Sequence, residues 1–480
     1  MPWRRALGHA ALVALARVIT SVACLLSGFR AISDDDYSRV VIAAHFAHHP
    51  SPDPSGTSWL PLPFWLYGVP MALFGDSLST ARVVAVLLGA AAAVLVWISG
   101  RWLGLSERAA LGGALGAVLL PYGAWLSVAT VPEAPTAALV LLGAVSLLRP
   151  EAKLRAIGAL SLGAACFCRY ESWAPALLFS AISGWDAVRE RRRELWWPVL
   201  FSAAPMALWL LHGIVRHGDA LFFVSRVRQY SAALGGVRDG FFASLVKAPL
   251  ALARFEPELF LLALVALALS FRRNQSPFGT GAWRPLAMLG SLVALLVVAD
   301  VSGGAATHHP ERSLLPVFWF LALVTAGLLV RLAEQPRRWL LPAVALPLAL
   351  AASVWLRPNV RQTFVDRSDE ERVGKLLRLL DARHVALDTD DFGFFAVQAA
   401  LGDERSFALR AHDPRRPDPP LATSSAELAR RLHARGAAWL VQPRERSELG
   451  RALGPVPITT ERFSVVRLDP AKLRALAAPN

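Results

Sequence analysis

Residues 80–101 read TARVVAVLLGAAAAVLVWISGR. Apart from its basic ends the run carries no charge, and it is long enough to cross a hydrocarbon core, which takes roughly 17–25 residues of helix. Comparable blocks lie near 9–29, 108–128, 134–149, 155–169, 173–187, 195–215, 256–271, 285–301, 314–332 and 339–356. In lipid each segment must satisfy its own backbone, which such apolar blocks do as helices. The sequence therefore predicts an α-helical polytopic membrane protein with about eleven spanning helices. Composition agrees: 55% of the residues are hydrophobic and 18% charged, against about a quarter charged in a soluble chain.

The net charge of +14 does not point to nucleic acid, because the basic residues sit between apolar blocks. Arg4/Arg5, Arg101/Arg108, Arg149/Lys153/Arg155, Arg189/Arg191/Arg192/Arg193, Arg272/Arg273/Arg284 and Arg331/Arg337/Arg338 fall in alternate connections. Those connections are expected in the cytoplasm, together with the N-terminus. The other set (30–79, 129–134, 169–173, 216–255, 302–313 and everything after 357) is then expected outside a cell membrane. The first block follows Trp3, Arg4 and Arg5 like a signal peptide, but no small-residue cleavage site follows it, so it reads as a retained helix. Cys24, Cys166 and Cys168 give no disulfide framework and read as free thiols.

The chain changes character near Arg357, which divides it into a membrane domain over 1–356 and an extracytoplasmic domain over 357–480. The tail alternates strand-like runs (His384 to Asp388, Ala437 to Val441, Phe463 to Leu468) with helix-like ones (Glu370 to Leu380, Ser425 to Arg435). That pattern predicts a small α/β domain. It has no glycine-rich phosphate loop, nucleophile elbow or metal spacing. A structural or acceptor-guiding role follows, and removal of the tail from about Arg361 is expected to leave transfer to a small acceptor measurable.

Chemistry concentrates in the first outer connection, Ile32-Ser33-Asp34-Asp35-Asp36-Tyr37-Ser38-Arg39. Three carboxylates directly after a spanning helix suit a general base at the membrane surface. They equally suit an acidic cap on a helix over Tyr37 to His48. An aromatic and proline stretch, Pro54 to Gly68, then fits the headgroup zone ahead of the second spanning helix.

The order of these elements resembles the polyprenyl-phosphate-sugar-dependent glycosyltransferases of the GT-C superfamily, such as protein O-mannosyltransferases and aminoarabinose transferases. An Asp-Asp-x-Tyr element (Asp34, Asp35, Tyr37) follows the first helix, and Trp59-Leu60-Pro61-Leu62-Pro63-Phe64 precedes the second. Glu133 lies in the tight loop Val131 to Pro135, Arg169-Tyr170-Glu171 caps the fifth span, and His217 to Phe223 opens the long outer loop. His309-Pro310-Glu311-Arg312-Ser313-Leu314-Leu315-Pro316 enters a late helix. The resemblance covers about the first 350 residues. It implies an inverting transfer of a sugar from a polyprenyl-phosphate donor to an acceptor hydroxyl, with an aspartate of the first loop as base. Here a triplet stands where the family has a pair, so Asp35 is the first choice with Asp34 or Asp36 assisting.

Leaving phosphate needs cationic donors. Arg312 is the first choice, since a guanidinium grips two phosphate oxygens; Arg226 and Arg228 are weaker candidates. Glu133, Arg169, Tyr170, Glu171 and His309 complete the substrate-binding set. Acids at the outer ends of spans need a reason to be there. His45, His48 and His49 have helical spacing and His308 adjoins His309, yet these imidazoles are expected to be satisfied locally, and no metal or cofactor is expected beyond the lipid-linked donor. The expected partners are that donor, membrane lipids and a protein, glycan or lipid acceptor. The competing reading is a transporter or flippase of a lipid-linked or polar substrate, which would place charges and helix breaks near the bilayer midplane.

Overall fold

The computed structural model describes residues 2–235, 240–271, 281–303, 310–333 and 364–478. Every apolar run named above forms a helix except 339–356, which lies outside the described residues. In chain order the first half runs α1 (Pro2–Leu26), α2 (Asp34–His48), α3 (Leu62–Phe74), α4 (Leu78–Trp102), α5 (Glu107–Leu119), α6 (Pro121–Leu126), α7 (Glu133–Ser146) and α8 (Ala152–Cys166). Then come α9 (Trp173–Arg189), α10 (Trp196–His217), α11 (Phe222–Ala233), α12 (Phe241–Phe255), α13 (Pro257–Phe271), α14 (Trp283–Val301), α15 (Pro310–Ser313) and α16 (Leu315–Ala333). Segments Arg4–Leu26, Leu78–Trp102, Arg193–His217 and Trp283–Val301 are each long and apolar enough to cross a membrane, and shorter apolar helices accompany them. Large apolar side chains on α1 (Leu7, Leu12, Leu15, Ile19) and α10 (Leu200, Leu208, Leu211) are exposed, as a lipid-facing surface requires.

Two details depart from the sequence reading. The run 108–128 is broken into α5 and α6, because Pro121 lacks the amide that would continue the ladder and instead opens the next helix. The aromatic and proline stretch, expected only to lead into the second span, carries a helix of its own. That helix, α3, ends at Gly75, whose φ of +101° reverses the chain ahead of α4.

The structure divides into two compact units, one of Met1–Phe29, Gly56–Pro63 and Ala85–Thr363, the other of Arg30–Ser55, Phe64–Val84 and Phe364–Asn480. In the first, helices approach through small residues, as expected where lipid supplies no hydrophobic drive. A Cβ on Gly158 would meet Ser146 Oγ at 1.9 Å, and one on Gly143 would meet Leu162 Cγ at 2.4 Å. Gly158→Ala should therefore cost about 1–3 kcal/mol by overpacking. Gly112→Ala, where nothing lies within 4 Å, should be neutral or slightly stabilising. Melting temperatures in detergent compare the two; equal values would mean that α7 and α8 are not pressed together.

Arg155 and Arg284, read above only as orienting charges, also hold helices together. Arg155 Nη1 lies 2.7 Å from Asp186 Oδ2, and Arg284 donates to both oxygens of Asp186 at 2.8 and 2.9 Å. Asp186 is buried, so the two cations make its ionised form tolerable. Arg17 is buried at mid-helix in α1 and donates to the Ala117 carbonyl at 3.4 Å. The three cysteines are free, as expected.

In the second unit the tail forms a five-stranded sheet of order β2-β1-β3-β5-β4. The strands are β1 (Val385–Leu387), β2 (Ser406–Ala408), β3 (Trp439–Pro443), β4 (Ile458–Thr459) and β5 (Phe463–Arg467). β1 pairs parallel with β2 and β3, while β5 runs antiparallel to β3 and β4. Alternate side chains serve opposite faces. Val385, Leu387, Val441 and Val465 pack against Val373 and Leu377 of α17 (Ser368–Leu379) and Phe394 and Val397 of α18 (Phe394–Leu401). Ala386, Leu440 and Val466 pack against Leu428 and Leu432 of α19 (Ser425–Ala434) and, beyond the short α20 (Ser447–Arg451), Leu473 of α21 (Pro470–Ala477). The helices after β1 and β2 thus cover opposite faces, which makes the carboxyl edge between β1 and β3 the switch point of the winding. The sequence missed β2 and β4, of three and two residues, whereas the equally short β1 lies within the longer run His384 to Asp388. α2 and α3 from Phe64 onward belong to this same unit and meet closely: a Cβ on Gly68 would lie 2.4 Å from the Phe46 ring.

Candidate functional site

The candidate side chains fall into two groups, each within one unit. In the tail-containing unit, α2 begins three residues earlier than expected, so the acidic triplet forms its first turn. Its members have different surroundings. Asp36 is 2% exposed and accepts from the amides of Ile32 and Ser33, both at 3.2 Å. It therefore performs the capping role that the sequence allowed for the triplet as a whole. Asp34 is gripped by Arg367, with Nε on Oδ1 and Nη2 on Oδ2, each at 2.9 Å. Asp35 is the exposed member.

The next residue is tied as well. Tyr37, fully buried, donates to Glu371 Oε1 at 2.8 Å, and Arg82 donates to both oxygens of Glu371. Burial pushes the Glu371 carboxyl up, but Arg82 and the hydrogen bonds it receives bring it below the ordinary glutamate value. Burial and the neighbouring Glu371 hold the Tyr37 phenol far above its usual range. At the other end of α2, His48 Nε2 faces Asp76 at 3.3 Å and His49 Nε2 faces Glu404 at 3.0 Å.

The membrane unit holds the second group. Glu133 is the first residue of α7; Arg169 precedes the turn Tyr170–Ser172 between α8 and α9; Arg312 and Ser313 lie on α15. Arg169 joins them: Nη1 reaches Glu133 Oε1 at 2.5 Å, Nη2 reaches Glu171 Oε1 at 2.7 Å and Ser313 Oγ at 3.2 Å. Ser313 in turn donates to Glu171 at 2.8 Å. Burial raises the Glu171 carboxyl, and Arg169 more than reverses it, leaving it below the ordinary value.

Around this knot Glu133, Thr136, Arg169, Glu171, Arg312 and Ser313 line a cavity of about 10 Å³, room for roughly one water. Arg312 is 4% exposed and Glu133 3%. Glu133 Oε2 and Thr136 Oγ1 are buried with no hydrogen-bond partner among the described residues. Four of the candidates named from sequence (Glu133, Arg169, Glu171 and Arg312) are thus brought together from three separate connections. Tyr170 is half-buried beside them, its ring stacked on Phe223 at 4.2 Å and its hydroxyl accepting from Trp209 Nε1 at 3.0 Å. Arg226 donates to the Gly56 carbonyl at 2.8 Å. His308 and His309 lie outside the described residues.

No family model matches the sequence, and no curated protein matches it. Solved structures do. ArnT from Cupriavidus metallidurans bound to undecaprenyl phosphate superposes with a TM-score of 0.61 at 15% identity, covering 99% of both chains. Its apo state gives 0.58 at the same identity and coverage. The chain has the ArnT fold. The likeness runs the whole length of the chain, through the helical part and the C-terminal α/β part alike.

Sequence reading missed Arg82, Thr136, Ser313, Arg367, Glu370 and Glu371. Arg82 carried a usable signal, a charge within the first turns of a spanning helix. Thr136 stands one turn after Glu133 on α7 and Ser313 directly follows Arg312, so both were legible as neighbours. Nothing in the charge-rich tail singled out Arg367 or Glu371.

Proposed function

We propose that the protein is an inverting glycosyltransferase that moves a sugar from a polyprenyl-phosphate donor to an acceptor hydroxyl at the outer face of a cell membrane. The observation that carries this reading is the differentiated acidic triplet on α2. Asp36 is buried and Asp34 is half-buried against Arg367, while Asp35 is exposed to solvent. The fold of a structure that binds undecaprenyl phosphate supports the choice of donor class.

In the proposed reaction the acceptor oxygen attacks the anomeric carbon as Asp35 takes its proton. The bond from that carbon to the phosphate oxygen breaks, and the lipid phosphate leaves with the electron pair. Inversion follows from a single displacement. Arg312 is the proposed cationic contact for the departing phosphate, with Arg169 as a second cation of the same unit. Glu133 and Glu171 hold Arg169 and orient polar groups of the substrate. The N-terminus is cytoplasmic in this reading and the tail extracytoplasmic, because the basic connections alternate with those bearing the candidate residues.

Arg17 favours the transporter alternative, being an ionisable group buried within a span. The two readings separate on bond breaking. Purified protein in lipid nanodiscs, incubated with a panel of polyprenyl-phosphate sugars and hydroxyl acceptors, should release free polyprenyl phosphate by mass spectrometry. Movement of intact donor across a vesicle, with no lipid phosphate released, is the transporter's result and would sink the enzyme reading.

A further inference from the structure

The tail carries no chemical motif, yet its residues hold the first turn of α2. Arg367, immediately before α17, is 6% exposed and uses all three guanidinium nitrogens. Nε and Nη2 fork onto Asp34, each at 2.9 Å, while Nη1 contacts Asp391 at 2.8 Å and Glu370 at 3.1 Å. Four residues further on, Glu371 takes the Tyr37 hydroxyl at 2.8 Å. Asp391 belongs to the segment that follows β1, at the carboxyl edge where the sheet's winding reverses. One buried cation therefore joins that edge to the acidic helix.

We propose that Arg367 is a positioning residue for the proposed base, acting through Asp34, with Glu371 as its second anchor through Tyr37. Asp35 stands between two residues fixed by the tail, Asp34 and Tyr37, and next to Asp36, which is fixed by backbone. Its backbone therefore has little freedom to rotate. The clamp also has an electrostatic part. Asp34, Glu370 and Asp391 would repel one another and Asp35, and Arg367 offsets that repulsion at its centre. A planar fork is needed for this, since a lysine ammonium cannot span Asp34 with two parallel bonds while also reaching Asp391. Misplacement of a reacting group by about 1 Å is enough for a hundredfold loss of rate. This reverses the expectation that the tail could be removed with transfer still measurable. It rests on Asp35 being the base, but the clamp can be read without activity.

The test uses full-length protein in nanodiscs, comparing wild type with Arg367→Gln, Arg367→Lys and the exchange Arg367→Asp/Asp34→Arg. Amide hydrogen exchange reports the clamp directly. Arg367→Gln should speed exchange in the first two turns of α2 by about tenfold or more, with Lys intermediate, the exchanged pair largely restored, and α19 unchanged as a folding control. With the donor that wild type turns over, kcat should fall by roughly a hundredfold in Arg367→Gln while the donor KM stays put. Unchanged exchange in α2 overturns the clamp whatever the activity. Altered exchange with wild-type kcat, in a protein that Asp35→Asn inactivates, overturns the positioning role. Full activity in Asp35→Asn instead defeats the proposed function and leaves the exchange result to decide the clamp on its own.

Discussion

Asp35→Asn should abolish transfer while leaving donor binding intact. Asparagine keeps the size and the hydrogen-bonding carbonyl of the side chain but accepts no proton, so only the base is lost. A positioned general base contributes on the order of 10²–10⁴ in rate, and kcat should drop by that factor with the dissociation constant for the polyprenyl-phosphate donor unchanged. Asp34→Asn and Asp36→Asn should behave differently, because an arginine holds the one and backbone amides the other. The first weakens a fork to Arg367, so it should resemble Arg367→Gln. The second weakens two bonds to backbone amides and should lower stability by about 0.5–2 kcal/mol, as loss of a helix cap does. Single-turnover transfer, measured beside donor binding and melting for all three variants, gives the pattern. Wild-type rates in all three would reduce the triplet to a helix cap and remove the main physical support for an enzyme.

The sequence was most informative where a long period or a long apolar run decides the outcome. Ten of the eleven runs appear as helices because twenty apolar residues leave the backbone little alternative in lipid. β1, β3 and β5 of the tail and two of its helices were visible for a similar reason, since a short apolar run marks a strand and a 3.6 period marks α17 and α19. What escaped was short or depended on partners distant in sequence. α3 was hidden because Pro63 and Pro70 look like breakers, although Pro63 sits in the first turn, where its missing amide costs nothing. In the candidate site, residue types and order were legible: Glu133, Arg169, Glu171 and Arg312 do share a cavity wall. Their bonding was not. That Arg169 bridges two carboxylates, and that Asp34 belongs to an arginine 333 positions later, follow from the tertiary fold alone.

Arg312→Ala should cost roughly 2–4 kcal/mol of transition-state stabilisation, a loss of about thirtyfold to a thousandfold in kcat, if the arginine acts as one preorganised donor to the departing phosphate. The ordinary alternative is an arginine at a helix end that snorkels to the headgroups. Snorkelling keeps the charged head in water, whereas Arg312 is 4% exposed and lines a protein-walled cavity with Glu133 and Glu171. A cation placed there is held by protein, and its cost in desolvation is offset by the neighbouring carboxylates. Negative charge grows on the phosphate oxygen as the bond to the sugar breaks, so the contact strengthens between ground and transition states and the loss should fall on kcat more than on donor KM. Arg312→Lys should recover part of the rate as a point charge that lacks the fork. Because the residue is buried, Ala also leaves two carboxylates with Arg169 as their nearest remaining cation, so melting must be measured alongside turnover. A stable Arg312→Ala protein with near-normal kcat would assign Arg312 to structure and leave Arg169 as the cation of the cavity.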